Sequence, residues 1–252
     1  MSAGTMAITM AGRGARFVAA GYDMPKYEIV VHGRNLFDWS MQGLACFKDA
    51  GWTFSFAARA GVEARPFLIQ QCSALGIGIG DVLELDTITD GQATTALQLA
   101  EIAAPDTPFA VFNIDTYLQP GAVTPWDRAE CDGIVPCFPG VGDGWSFARI
   151  NAQGFATELR EKERISGHAS VGFYGFHSAT AYREVYAQHF AEGKGKAHGE
   201  RYIAPMYNTM IAAGDHISVP LLEYADVTVL GTPEEIREFA VRSVGMNPDR
   251  SA

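Results

Sequence analysis

Three stretches of this 252-residue chain carry residue types that do chemistry. The first runs from Met10 to Phe17, where Gly12 and Gly14 follow a short apolar run and Arg16 comes next; Pro25 and Lys26 follow at a distance. Small residues after a strand let backbone N–H groups reach phosphate oxygens without a Cβ in the way, and nearby cations complete such a cradle. The stretch is not a P-loop, because no Gly-Lys-Ser/Thr stands at the required spacing. It is not a dinucleotide fingerprint either, since Phe17 occupies the place of the third glycine. The second stretch is Asn113 to Asp115, ending the apolar run Phe109 to Phe112. A carboxylate there sits where open α/β sheets place their ligands. Mg²⁺ takes one or two carboxylates and fills its shell with phosphate oxygens and water. The third is the alternating charge of Arg160 to Arg164. On a regular strand Glu161 and Glu163 would face one side, and Arg160, Lys162 and Arg164 the other. The six histidines show no zinc-ligand spacing, and no Ser/His/Asp arrangement is present.

In order along the chain, these stretches and three others resemble the signature of the nucleotidyltransferases that make nucleoside-diphosphate sugars and related activated phosphates. Ala11, Gly12, Gly14, Arg16 and Phe17, then Pro25 and Lys26, are similar to the family's nucleotide loop. Thr89 to Thr95 resembles its base-recognition segment, and Val111 to Asp115 its metal-binding strand end. Glu161, Lys162 and the stretch Ser166 to Phe176 resemble its acceptor hairpin. Glu200 to Asn208 and Leu230 to Pro233 resemble a short branch linked to capsule and surface-polysaccharide synthesis.

The resemblance implies roles for individual residues. Arg16 and Lys26 would hold the triphosphate and the leaving pyrophosphate, the Arg as a planar fork and the Lys as a point charge. Ala11, Gly12, Gly14, Gly91, Gln92 and Asn113 would line the nucleotide site. Asp115 would bind Mg²⁺ or Mn²⁺. The family's second carboxylate stands two residues before the Gly-Thr-Pro stretch, where this chain has Val229. Asp226 is the replacement expected here, with Glu200 and Glu223 as alternatives. Glu161, Lys162, Gly172, Glu200, Tyr202 and Asn208 would bind the acceptor. For Glu161 and Lys162 both to reach it, the strand must break its alternation there, so an irregular backbone is expected.

The elements that must position these residues alternate between strand and helix, which argues for a largely parallel sheet covered by helices. Strands are expected at Ala7–Met10, Thr53–Ala58, Asp81–Leu85, Phe109–Phe112, Gly133–Phe138, Trp145–Ile150, Phe155–Leu159, Ser170–Phe176 and His216–Val219, with a further apolar stretch at Glu28–Val31. Helices are expected from Asn35 as N-cap through Phe47, over Pro66–Leu75, from Asp90 as cap through Ala104, and over Ser178–Glu192 and Glu200–Ala213. Thr232 and Glu235 form a capping box with Pro233 at the first helical position. Gly193 to Gly199 reads as a surface loop. The fold class is therefore α/β: a single-domain Rossmann-like mixed sheet flanked by helices. A nucleotide-binding half covers about 7–130, and a more β-rich acceptor-binding half about 131–240.

Composition narrows the alternatives. Acidic residues outnumber basic ones, 29 to 19, for a formal charge of −10, which argues against a nucleic-acid binder. No apolar run approaches membrane-spanning length, and no basic segment precedes the first apolar stretch. Four cysteines in no C-x-x-C pair suggest reduced thiols and a cytoplasmic protein. The resemblance implies a Mg²⁺-dependent enzyme joining a nucleoside triphosphate to a phosphorylated small molecule, with release of pyrophosphate. A sugar 1-phosphate is the first choice of acceptor; a cytidylyltransferase acting on a polyol, choline-like or amino-acid-like phosphate is the alternative. A nicotinamide-dependent oxidoreductase would need an acidic residue about 20 positions after the glycines; residues 29–36 offer none. A catalytically silent nucleotide binder has Val229 as its support. The base, the acceptor and homo-oligomer formation are left open.

Overall fold

The computed structural model describes residues 3–242 of the chain. The elements in chain order are β1 (Thr5–Thr9), α1 (Ala15–Ala19), β2 (Val30–Val31), β3 (Arg34–Asn35), α2 (Leu36–Gln42), α3 (Ala45–Asp49), β4 (Thr53–Arg59), α4 (Ala64–Leu75), β5 (Ile79–Leu85), α5 (Gln92–Ile102), β6 (Phe109–Asn113) and β7 (Thr116–Leu118). The second half adds β8 (Gly133–Ile134), β9 (Cys137–Phe138), β10 (Ser146–Ile150), β11 (Ala156–Glu161), β12 (Ala169–Ser170), β13 (Phe173–Phe176), α6 (Ala179–His189), α7 (Tyr207–Ala213), β14 (Ile217–Ser218), β15 (Val227–Val229) and α8 (Pro233–Val241).

Seven strands form the central sheet in the order β14-β8-β13-β6-β1-β4-β5. All neighbours are parallel except those of β13, which runs antiparallel to β6 and β8. The chain leaves β1 toward β4 on one side, and β6 returns on the other. Their carboxyl ends therefore open a crevice at the reversal, where α/β sheets bind ligands. Both faces of the sheet are covered. Met6 and Ile8 of β1, with Ala110 and Phe112 of β6, enter one apolar core, and Ala7, Phe109 and Val111 enter the other. That double burial is why these strands read as unbroken apolar runs.

The sequence reading needs several corrections. The stretch from Leu36 to Phe47 is two helices, α2 and α3, interrupted at Gly43. Gly133–Phe138 and Ser170–Phe176 each split into two short strands that belong to different sheets. Pro136 lies at the first break and Gly172 at the second; β9 and β12 join β10 and β11 in a four-stranded sheet, while β8 and β13 stay in the central one. The helix expected from Glu200 begins only near Ala204, because residues 200–203 are drawn onto the start of α5: Arg201 N–H donates to Asp90 O at 2.8 Å, and Ala93 N–H donates to Arg201 O at 3.0 Å. Asp90 does not cap α5. Its carboxylate instead accepts from the Thr94 hydroxyl and pairs with Lys196 and Arg201 at 3.0 and 3.2 Å. The expected surface loop at 193–199 is thus tied down through Lys196. Among the described residues no helix is long and apolar enough to cross a membrane.

Candidate active site

A third, smaller apolar cluster fixes the parts of the crevice that matter most. Phe17, Trp39, Tyr117, Leu230, Ile236 and Phe239 pack together, so α1, α2, β7 and α8 share one apolar core. Arg16 precedes Phe17, Asp115 lies two residues before Tyr117, and Gly231 follows Leu230. The backbone completes the brace: Leu230 N–H donates to Asp115 O at 2.8 Å, and the buried Ser40 hydroxyl donates to Ile114 O at 3.0 Å.

Lys26 Nζ lies 2.8 Å from Asp115 Oδ2, joining the nucleotide loop to the end of β6. The two side chains keep 22% and 32% of their surface, so the pair faces the crevice rather than the core. Burial pushes the Asp115 carboxyl up, but the charge and hydrogen bond of Lys26, its own backbone N–H and the charge of Arg16 outweigh it, so the net shift is downward. An ionised carboxylate beside two cations is what a hard cation and a polyphosphate would meet. A Cβ on Gly12 or Gly14, in the loop after β1, would touch no other part of the chain.

Gln92, Thr9 and Asn113 meet at the ends of β1 and β6. Gln92, at the start of α5, donates from Nε2 to Thr9 Oγ1 at 3.0 Å and also to Asn113 Oδ1, so the ends of β1 and β6 hold its amide. Thr9 was not singled out from the sequence; its place at the end of a buried strand was the available signal. Two glycines permit the close approaches. Gly91 has φ +145°, and a Cβ there would stand 2.3 Å from Arg201 O. Gly172 has φ +79°, and its Cβ would stand 2.6 Å from Asn113 Nδ2. Gly172 is therefore a side-chain-free wall against Asn113, at the point where the chain passes between sheets.

On the acceptor side, β11 ends at Glu161, and Lys162 has φ +53°, the left-handed region. That is the break in alternation expected at this pair. Glu161 turns inward, where its Oε2 accepts from Ser146, whose hydroxyl lies 3.2 Å from Tyr174 Oη. Burial raises the Glu161 carboxyl above the ordinary glutamate range; Ser146, Lys162 and His198 offset this only in part. Lys162 Nζ donates to Tyr202 Oη at 2.6 Å. Burial raises the Tyr202 phenol, Lys162 pulls it down, and Glu200 adds to the rise, so Glu200 belongs to the same group.

Two expected members lie elsewhere. Asn208 grips the β11 backbone, accepting from Leu159 N–H at 2.9 Å and donating to Leu159 O at 2.7 Å, so its amide is spent on joining α7 to the hairpin. Asp226 is not brought beside Asp115. Its Oδ2 accepts from Glu223 N–H at 3.0 Å in a reciprocal cap that also uses the Glu223 side chain. It precedes β15, whose Val229 pairs with Thr116. The position two residues before Gly231 thus holds a valine on β15, not a carboxylate.

The cap of α8 differs from expectation as well. Thr232 Oγ1 accepts from Glu235 N–H at 3.2 Å, but Glu235 does not return the bond. Its Oε2 is instead buried with no hydrogen-bond partner among the described residues. A Cβ on Gly231 would stand 3.5 Å from that atom and 3.5 Å from Asp115 Oδ2, so both carboxylates border the same small gap. Cavities of about 330 and 440 Å³ lie away from the crevice, against α2 and α3 and against α6 and α7 respectively.

An α/β sheet with a glycine-containing cationic loop beside the Asp115 carboxylate at its reversal point has the layout of a ligand-binding α/β sheet. Solved structures share this fold. A nucleoside-diphosphate-sugar pyrophosphorylase from Vibrio cholerae RC9 is 34% identical, with a TM-score of 0.86 over 94% of this chain and 100% of that one. The inositol-1-phosphate CTP transferase from T. maritima (16% identity, TM-score 0.73, 93% and 92% of the two chains) shares the fold. So does CTP:phosphocholine cytidylyltransferase from Streptococcus pneumoniae (14%, 0.69, 94% and 98%). No family model matches the chain, and no curated protein does. The chain belongs to the nucleotidyltransferases, the enzyme family that includes the nucleoside-diphosphate-sugar pyrophosphorylases.

Proposed function

We propose that this enzyme joins a nucleoside triphosphate to a sugar 1-phosphate in a reaction that depends on a divalent cation, Mg²⁺ or Mn²⁺. An oxygen of the acceptor phosphate attacks the α-phosphorus in line, the bond from that phosphorus to the bridging oxygen breaks, and pyrophosphate leaves with the electron pair. No protein nucleophile is required; the chain must position two polyanions and neutralise charge. The observation that carries the reading is the Lys26–Asp115 pair at the mouth of the crevice, with Arg16 adding its charge.

Lys26 and Arg16 hold the triphosphate and take up the charge that grows on the leaving pyrophosphate. Gln92, whose Nε2 is spent on Thr9 and Asn113, offers the base its carbonyl oxygen as an acceptor. Glu161 accepts from acceptor hydroxyls, while Lys162, turned by its left-handed backbone, meets the acceptor phosphate. The choice of a sugar rests on that carboxylate beside a lysine, and on the 34%-identical relative being a nucleoside-diphosphate-sugar pyrophosphorylase. The residues fit a hard cation: Asp115 is ionised and partly open, and a second buried carboxylate oxygen nearby lacks a partner. When bound, such an ion supplies Lewis-acid charge to the triphosphate oxygens. Among the described residues no three His, Cys, Asp or Glu side chains converge, which suits Mg²⁺ shared between one or two carboxylates and phosphates.

A pyrophosphate-release screen of the common triphosphates against phosphorylated acceptors tests the reading. Release is expected for a sugar 1-phosphate, with loss in chelator and in Asp115→Asn. Release only with a polyol or choline-like phosphate would move the acceptor class, and binding of nucleotide with no release for any pair would overturn the activity.

A further inference from the structure

We infer that Glu235, not Asp226, is the second carboxylate of the cation site. The inference rests on the divalent-cation reading above and names the residue that completes it. Val229 stands two residues before Gly231, where the resemblance would place a second carboxylate, and pairs with Thr116 instead; Asp226 is consumed in a cap of its own. Glu235 has the sequence position of a capping-box glutamate but does not make the bond that position predicts. Thr232 accepts from Glu235 N–H, and the reciprocal bond to Thr232 N–H is absent.

The carboxylate instead turns to Gly231, where Oε2 is buried without a donor. A buried carboxylate oxygen with no partner is costly unless a cation meets it. The space in front of it is bordered by Asp115 Oδ2, the oxygen that also meets Lys26 Nζ at 2.8 Å. The absence of a side chain on Gly231 keeps that space open. The third apolar cluster holds both ends of the pair, through Tyr117 beside Asp115 and through Ile236 and Phe239 beside Glu235. One or two carboxylates, with phosphate oxygens and water completing the shell, are the usual protein share of a Mg²⁺ site.

The test is direct binding of Mn²⁺, read by its electron paramagnetic resonance signal in the presence of α,β-methylene CTP or UTP. The wild-type chain is expected to bind one ion, and Glu235→Gln to weaken binding at least about tenfold, close to Asp115→Asn. Glu234→Gln, whose carboxylate pairs with Arg237 on the outer face, should bind as wild type. Unchanged affinity in Glu235→Gln, or a loss confined to Asp226→Asn, would overturn the assignment. Should Glu235→Gln fail to fold, a Mn²⁺ anomalous-scattering map of the wild type decides: a peak within about 2.5 Å of a Glu235 oxygen supports the site, and a peak on Asp115 alone overturns it. Because the readout is metal binding, it stays separate from catalysis. Loss of Mn²⁺ binding in a protein that releases no pyrophosphate would keep the pair and sink the reaction.

Discussion

At the scale of single residues, Lys26 and Arg16 are assigned to charge that develops during the reaction. Lys26→Ala and Arg16→Ala should each lower kcat by about 100-fold or more, the usual effect of removing one preorganised group from a developing charge. Both variants should keep the fold, Arg16→Ala melting as the wild type and Lys26→Ala lower, because the latter leaves the partly buried Asp115 carboxylate without its ion-pair partner. Steady-state kinetics beside thermal melts check both halves. Lys162→Ala should instead raise the acceptor's KM far more than the nucleotide's; equal effects would contradict its placement. Glu161 gives a pH signature. Its folded-state pKa is raised, so its contribution to stability is present at acid pH and is lost as pH climbs from the ordinary value of 4.5 through the raised one. Glu161→Gln stays neutral throughout, so its melting temperature should gain on the wild type across that window and then hold a constant lead. A difference that does not vary with pH would show that Glu161 is not buried as described.

At the scale of elements, the crevice depends on two backbone approaches that only a missing side chain allows. Gly91→Ala would force a methyl against the Arg201 carbonyl, which accepts from Ala93 N–H at the start of α5. A lower melting temperature and weaker nucleotide binding are expected together. Gly172→Ala would push on Asn113 and thus on the amide of Gln92, so nucleotide KM should rise more than acceptor KM. Much at this scale was legible in the sequence. The buried strands announced themselves as apolar runs, and the irregularity at Lys162 followed from asking how two neighbouring side chains could enter one pocket. What was not legible was long-range. Asp90 reads as a cap because Thr94 and the helix follow it, but Lys196 and Arg201 claim it from more than a hundred residues away. Glu235 reads as a capping-box member for the same local reason, and the tertiary gap at Gly231 decides otherwise.

At the scale of the whole molecule, the order of motifs was readable and their pairing was not. Nothing in Gly133–Phe138 or Ser170–Phe176 states that each apolar run divides between two sheets; the strand order does. That division sets Gly172, from the second half of the chain, against Asn113 at the end of β6. A chain of net charge −10 needs local cations to draw in two phosphorylated substrates, and under the proposed function Arg16, Lys26 and Lys162 supply them. The central claim is that the crevice transfers a nucleotidyl group. ³¹P NMR of a triphosphate, a sugar 1-phosphate and Mg²⁺ with the wild-type enzyme tests it most directly. The account predicts that the α-phosphorus signal moves into a diphosphate ester as inorganic pyrophosphate appears in equal amount, and that Lys26→Ala yields neither at a comparable rate. Release of the γ-phosphate as inorganic phosphate, or undiminished turnover by Lys26→Ala, would contradict it.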